Sequence, residues 1–169
     1  MEIVGYFAQF KWRTAPVGGL AKHCRLLLWW PSKESKEYKL EKYLYTIKDT
    51  HTERSFTKFR ISNHKLLIEY GRYQNIPSEE RHCKLCETKK VEDEFHFALE
   101  CQQYQNIRNN SHNILKKIFQ MNIQNESKRN LMSNVMSTEF PVLIELFSTL
   151  IFKCFTLRDR SLQTGNANK

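Results

Sequence analysis

Leu143, Phe147, Leu150, Cys154 and Leu157 recur at offsets of 4, 7, 11 and 14, the most regular apolar stripe in the chain. Spacing of this kind lines one face of a helix. It predicts a long terminal helix packed on the rest of the domain, with Cys154 as a core residue. Upstream, Pro31 and Ser32 read as a helix entry. Leu40, Tyr43, Leu44 and Ile47 then share one face, while Lys36, Lys39, Glu41, Lys42 and Lys48 take the others. A second helical stretch begins near Glu53, with Phe56, Phe59, Leu66, Leu67 and Tyr70 as candidate core positions. Asn63 and His64 interrupt it and read as satisfied polar residues at a helix junction. Gly71 is expected to close the segment, and Pro77 prevents a helix from continuing.

The pattern changes at Cys83. Cys83, Cys86, His96 and Cys101 fall as C-x2-C-x9-H-x4-C, four good metal ligands within nineteen residues. A two-residue gap between cysteines lets a tight turn aim both sulfurs at one point, and three thiolates with one imidazole complete a tetrahedral zinc shell. A redox dithiol would need a strand-to-helix setting that is missing around Cys83 and Cys86. A catalytic zinc would need an open position and a nearby carboxylate, and the deaminase order of His-x-Glu before a cysteine pair is absent. The expected local structure is a turn at the cysteine pair, an extended or turn segment to Glu92, and a short helix from near Asp93 carrying His96. Positions five apart in a regular helix diverge by about 140°, so Cys101 is expected where that helix ends or bends.

Beyond the finger, Tyr104, Ile107, Leu115 and Ile118 continue as helix, and Met121 to Thr138, rich in Asn and Ser, reads as a connection. The fold class is therefore mainly α: a small helical domain with an inserted CCHC zinc finger built from a turn plus a short helix. Its organisation is an N-terminal segment 1–30 without a clean period, a helical domain over 31–160 containing the finger at 81–102, and a frayed tail over 161–169.

Composition adjusts this picture in three ways. Five cysteines leave Cys24 and Cys154 as isolated thiols once three bind metal, which suits a reducing, intracellular setting in nucleus or cytoplasm. Met1 to Trp30 lacks the pattern of a signal peptide, and Phe140 to Phe155, the best apolar run, is interrupted by Glu145 and Lys153. A membrane role and a small-molecule substrate are not expected. The formal charge of +9 permits a nucleic-acid partner but does not demand one, because cations and anions are interspersed throughout.

Thr57-Lys58-Phe59-Arg60-Ile61-Ser62, His64, Ile68-Glu69, Gly71-Arg72-Tyr73, Ile76-Pro77 and the finger with Val91-Glu92-Asp93-Glu94-Phe95-His96-Phe97 carry a further signal. Together they resemble the zinc-binding domain that follows the polymerase in non-LTR retrotransposon reverse transcriptases. The resemblance runs from about Arg54 to Arg108 and is weaker over Leu40–Lys48 and Phe152–Arg158. Gln102 departs from it, since the family usually has proline after the last cysteine. The resemblance implies zinc ligation by Cys83, Cys86, His96 and Cys101, and a module that helps a polymerase hold template RNA or target DNA. The polymerase itself is absent: the chain's aspartates, Asp49, Asp93 and Asp159, are not paired as two-metal catalysis requires. The expected protein is no enzyme. Arg60, Arg72, Tyr73, Arg81, Lys84, Lys89 and Lys90 are candidate contacts to RNA or DNA. The same cations could instead offset the thiolates, with Tyr73 packed on the helices. Alternative roles are a zinc-stabilised protein-interaction module, docking for instance a polymerase protein, or an inactive retroelement remnant.

Overall fold

A computed structural model describes residues 41–111, 113, 132 and 134–167. The expectations for segment 1–30, Pro31, Leu40, Leu115 and Ile118, and most of those for the Asn- and Ser-rich connection, lie outside the described residues. Those described are mainly helical, with one isolated bridge and no strand among them.

Helix α1 spans Lys42–Thr46 and α2 spans Thr50–Arg60. The start of α2 is set by Asp49, whose carboxylate accepts the Thr52 amide at 2.7 Å, a capping bond that satisfies one of the orphan amides of the first turn. It places the helix three residues before the Glu53 expected from the apolar pattern alone. Helix α3, Leu67–Tyr70, runs directly into a 3-10 turn over Gly71–Gln74, and a second 3-10 turn covers Ser78–Glu80. After the cysteine segment come a π-helix over His96–Glu100, a 3-10 turn over Gln102–Tyr104 and helix α4, Gln105–Asn109. The last helix, α5, spans Pro141–Ala167. It continues through the residues expected to fray from Ser161, since no proline or glycine before Gly165 interrupts it.

Helix α5 is the spine of the domain, with α1, α2, α4 and the π-helix all packed on it. Its buried seam is Ile144, Phe147, Ile151 and Cys154, flanked by Leu150, and the next position along it is filled by buried Arg158. Phe59, fully buried on α2, ties three elements together: its ring lies 6.4 Å from Phe147 and 6.3 Å from Phe155 on α5, and 6.0 Å from Phe97 in the π-helix. Phe97 in turn stands 4.5 Å from Phe155 and 5.0 Å from Tyr104. The finger is thus built into the main core.

One expectation for the α3 region is corrected and another refined. Tyr70 is 49% exposed, and Ile68 takes its place in the core. The helix breaks between Arg60 and Leu67, so the apolar phase of α2 does not carry over into α3. Gly71 caps α3 but not as a left-handed residue: it keeps right-handed helical angles and leads into the 3-10 turn, and the left-handed residue that stops that turn is Asn75 at φ 55°. The glycine is required for close approach. A Cβ at residue 71 would lie 2.9 Å from both Cγ and Cδ of Arg81, whose guanidinium is held by the carbonyls of Ile68 and Ile76 at 2.7 and 2.9 Å. Gly71→Ala is expected to destabilise the domain by about 1–3 kcal/mol, as overpacking does, seen as a lower urea midpoint. An unchanged midpoint would show that the Arg81 side chain gives way freely.

Candidate metal centre

The cysteine segment closes on itself as a narrow loop. His82 and Val91 form an antiparallel bridge, the Cys83 amide donates to the Lys90 carbonyl at 2.8 Å, and the Glu92 amide donates to the Arg81 carbonyl at 2.8 Å. Lys89 makes the reversal in the left-handed region, at φ 52°. Cys83 and Cys86 therefore project from a turn whose two ends are pinned together.

His96 comes from the opposite side. Asp93 caps its helix, accepting the His96 amide on Oδ1 at 2.8 Å. The regular helix then gives way to the π-helix, where the Cys101 amide donates to the His96 carbonyl at 2.7 Å. This wider turn answers the geometric problem posed by the spacing. Residues five apart diverge on an α-helix, whereas the i to i+5 bond of a π-turn brings them back to the same side. Cys101 follows with extended backbone angles and is fully buried.

The four side chains converge. One ligand atom from each of Cys83, Cys86, His96 and Cys101 lies within 4.8 Å of all the others. The Sγ atoms of Cys83 and Cys101 are 3.9 Å apart, and Cys86 Sγ is 3.2 Å from His96 Nε2. A tetrahedral ion with metal–sulfur bonds of about 2.3 Å separates its sulfurs by about 3.8 Å, so the donors already stand near the edges of such a shell. The cluster could hold a metal ion. Four protein donors leave no coordination position for water, and no carboxylate belongs to the group.

Electrostatics point the same way. A hydrogen bond to Cys101 and burial push the Cys83 thiol up to about 12, while accepting that bond holds the Cys101 thiol below its ordinary value. Burial disfavours the charged imidazole of His96, but hydrogen bonds with Cys83 and Cys86 outweigh it and raise its pKa. Ionising all three cysteines at this spacing would require a cation among them. Nδ1 of His96 is buried without a hydrogen-bond partner and lies 3.8 Å from Glu100 Oε2, the type of carboxylate that orients a ligating imidazole. Glu100 also pairs with Lys90 at 3.0 Å.

The other candidates separate into two groups. Arg60 is buried under the rings of Tyr43 and Phe56, bonded to the Met136 carbonyl at 2.5 Å and 3.5 Å from Glu41. Arg81 is occupied by the two carbonyls named above. Both hold the fold together. Arg72 is paired with Glu69 at 2.6 Å. Tyr73 is 82% exposed and does not pack on the helices. Lys84, Lys89 and Lys90 are exposed around the metal loop.

Several residues that build the site are not visible in the ligand pattern. Glu92 carries a buried bidentate pair with Arg158 and also accepts the Leu67 amide at 2.7 Å. Glu94 accepts from Ser62 at 3.4 Å and contacts His64 Nε2 at 3.2 Å, so His64 is tied into the junction through Nε2, while its Nδ1 is buried without a partner, short of the full satisfaction expected there. Comparison with protein-family models, with curated proteins and with solved structures gives no match for this chain. Among the described residues, no helix is long and apolar enough to cross a membrane.

Proposed function

We propose that Cys83, Cys86, His96 and Cys101 hold zinc as a structural ion, and that the helical module it staples binds nucleic acid without catalytic activity. The observation that carries the metal reading is the convergence of the four donors within 4.8 Å. Three soft thiolates and an imidazole in a closed, roughly tetrahedral set suit zinc above harder divalent ions. The nucleic-acid reading draws on the resemblance to the domain that follows retrotransposon polymerases, and on the formal charge of +9. It is supported by the exposed ring of Tyr73 and the exposed Lys84 and Lys89. Lysines meet phosphates, and an exposed tyrosine offers a face on which an unpaired base can stack. Arg60 and Arg81, occupied within the fold, are dropped from the contact set, and Lys90 and Arg72 act from existing ion pairs.

The test uses the zinc-loaded full chain with labelled single-stranded and duplex RNA and DNA, titrated at several salt concentrations. Affinity is expected to fall as salt rises, and Tyr73→Ala is expected to weaken single-strand binding by about 1–3 kcal/mol. Absence of salt-dependent binding to all four probes would overturn the nucleic-acid reading while leaving the zinc site standing. A protein partner, such as a polymerase from another chain, would then become the leading role.

A further inference from the structure

We infer that Arg108 is the built-in counter-ion of the metal centre, a buried guanidinium that offsets the single negative charge left when a dication is held by three thiolates and a neutral imidazole. The inference rests on the metal reading of Cys83, Cys86, His96 and Cys101.

A guanidinium stays charged at any ordinary pH, so burying it calls for an opposite charge nearby. The other two buried arginines among the described residues obey this. Arg158 grips Glu92 at 2.8 Å, and Arg60 lies 3.5 Å from Glu41. Arg108 does not. Its Nη2 donates to the Cys101 carbonyl at 2.5 Å and to Gln105 Oε1 at 3.0 Å, both neutral acceptors. Its Nη1 is buried with no acceptor. Among the described residues no carboxylate stands within ion-pair distance of it.

The groups whose charges it feels are Cys154, Cys101, Tyr104 and Glu100. Cys154 cannot supply the anion, because burial pushes its thiol up to about 12 and keeps it neutral. Glu100 is engaged by Lys90 at 3.0 Å. Cys101 remains. Its main-chain carbonyl is already bonded to the guanidinium, and its sulfur belongs to the donor cluster. With the thiols protonated, Arg108 is an isolated buried cation. With a dication bound and the thiols ionised, the centre carries one net negative charge and the guanidinium neutralises it. Arg108 therefore acts on metal affinity, through its charge, and not on packing alone.

The experiment compares zinc affinity of the full chain and of Arg108→Lys, Arg108→Gln and Arg108→Met, measured by competition with a chromophoric chelator. Arg108→Lys keeps the charge, Arg108→Gln keeps a donor without charge, and Arg108→Met keeps neither. Loss of an outer-shell partner typically costs about 10–100-fold in metal affinity, and that loss is expected for the Gln and Met variants, with the Lys variant within a few-fold of wild type. Cobalt(II) substitution gives a second readout. The thiolate-to-cobalt charge-transfer band should move to lower energy in the Gln and Met variants and stay in place in the Lys variant, while far-UV circular dichroism of the loaded forms shows equal helicity. Should Arg108→Met fail to fold, the Lys and Gln pair alone decides. Wild-type affinity in Arg108→Gln, or equal losses in Lys and Gln variants, would overturn the counter-ion role with the metal site intact. If the wild-type chain takes up neither zinc nor cobalt, the metal reading itself fails and the inference falls with it.

Discussion

Removing the metal, by chelation or by Cys101→Ser, is expected to unfold most of the domain and not the finger alone. Zinc bound to small Cys/His sites contributes roughly 10–16 kcal/mol of apparent free energy, comparable to or larger than the roughly 5–15 kcal/mol total stability of an ordinary domain. Taken as an isolated pattern, the ligand spacing suggests a pinned loop, residues 81–102, whose loss would leave the flanking helices partly formed. The packing argues for a wider effect. Phe97, Ala98 and Cys101 are fully buried, and the ring of Phe97 packs with both Phe59 of α2 and Phe155 of α5. Releasing the metal frees the π-helix that positions Phe97, and the central aromatic cluster goes with it. Far-UV and near-UV circular dichroism should both collapse, and zinc should restore them. Cys154→Ala is the control, since Cys154 lies in the core outside the ligand group and its loss should leave metal stoichiometry unchanged. Unaltered spectra after verified metal removal would refute the prediction.

The second large effect is expected at Glu92 and Arg158. Arg158 Nε and Nη2 reach the two oxygens of Glu92 at 2.8 and 2.9 Å, with both side chains buried. The pair joins the end of the metal loop to the seam of α5, 66 residues away in sequence. Breaking a buried pair from one side leaves an uncompensated charge and typically costs about 3–5 kcal/mol. Arg158→Met is therefore expected to lower unfolding free energy in urea by that amount. Glu92→Gln should be close behind, because its oxygen also accepts the Leu67 amide that begins α3. Combining Arg158→Met with Glu92→Gln should cost less than the two single changes together, since the buried charges leave as a pair. Additive losses in that double-mutant cycle would show that the two side chains act independently, contrary to the bidentate geometry.

These two sites differ in how far the chain discloses them. The ligands of the metal centre are legible because cysteine is scarce and its spacing is narrow. Their short sequence separations mean that local geometry alone can bring them together. The α5 seam is legible for a similar reason: Phe147, Leu150 and Cys154 are buried as the stripe predicts, Leu143 and Leu157 are partly buried against the core, and Ile144 and Ile151 join the seam. Apolar residues on both sides of the true seam make its phase ambiguous to within one position. The start of α2 at Thr50 and the exposure of Tyr70 leave no hydrophobic trace, because a single cap sets the first and a break between α2 and α3 resets the helical phase for the second.

The chain alone, through local spacing, determined the helical class, the long final helix and the four side chains that could hold a metal ion. Helical periodicity and metal-ligand geometry act over a few residues and leave a direct imprint on residue order. The tertiary structure alone decided which cations are taken up within the fold. Arg60, Arg81, Arg108 and Arg158 are indistinguishable in the sequence from solvent-facing cations. Yet Arg60 lies under aromatic rings, Arg81 fills the space that Gly71 leaves open, Arg158 holds Glu92, and Arg108 donates to the Cys101 carbonyl with no carboxylate paired to it among the described residues. Burial and partnership of a charge depend on residues brought from distant parts of the chain, and no local pattern records that encounter.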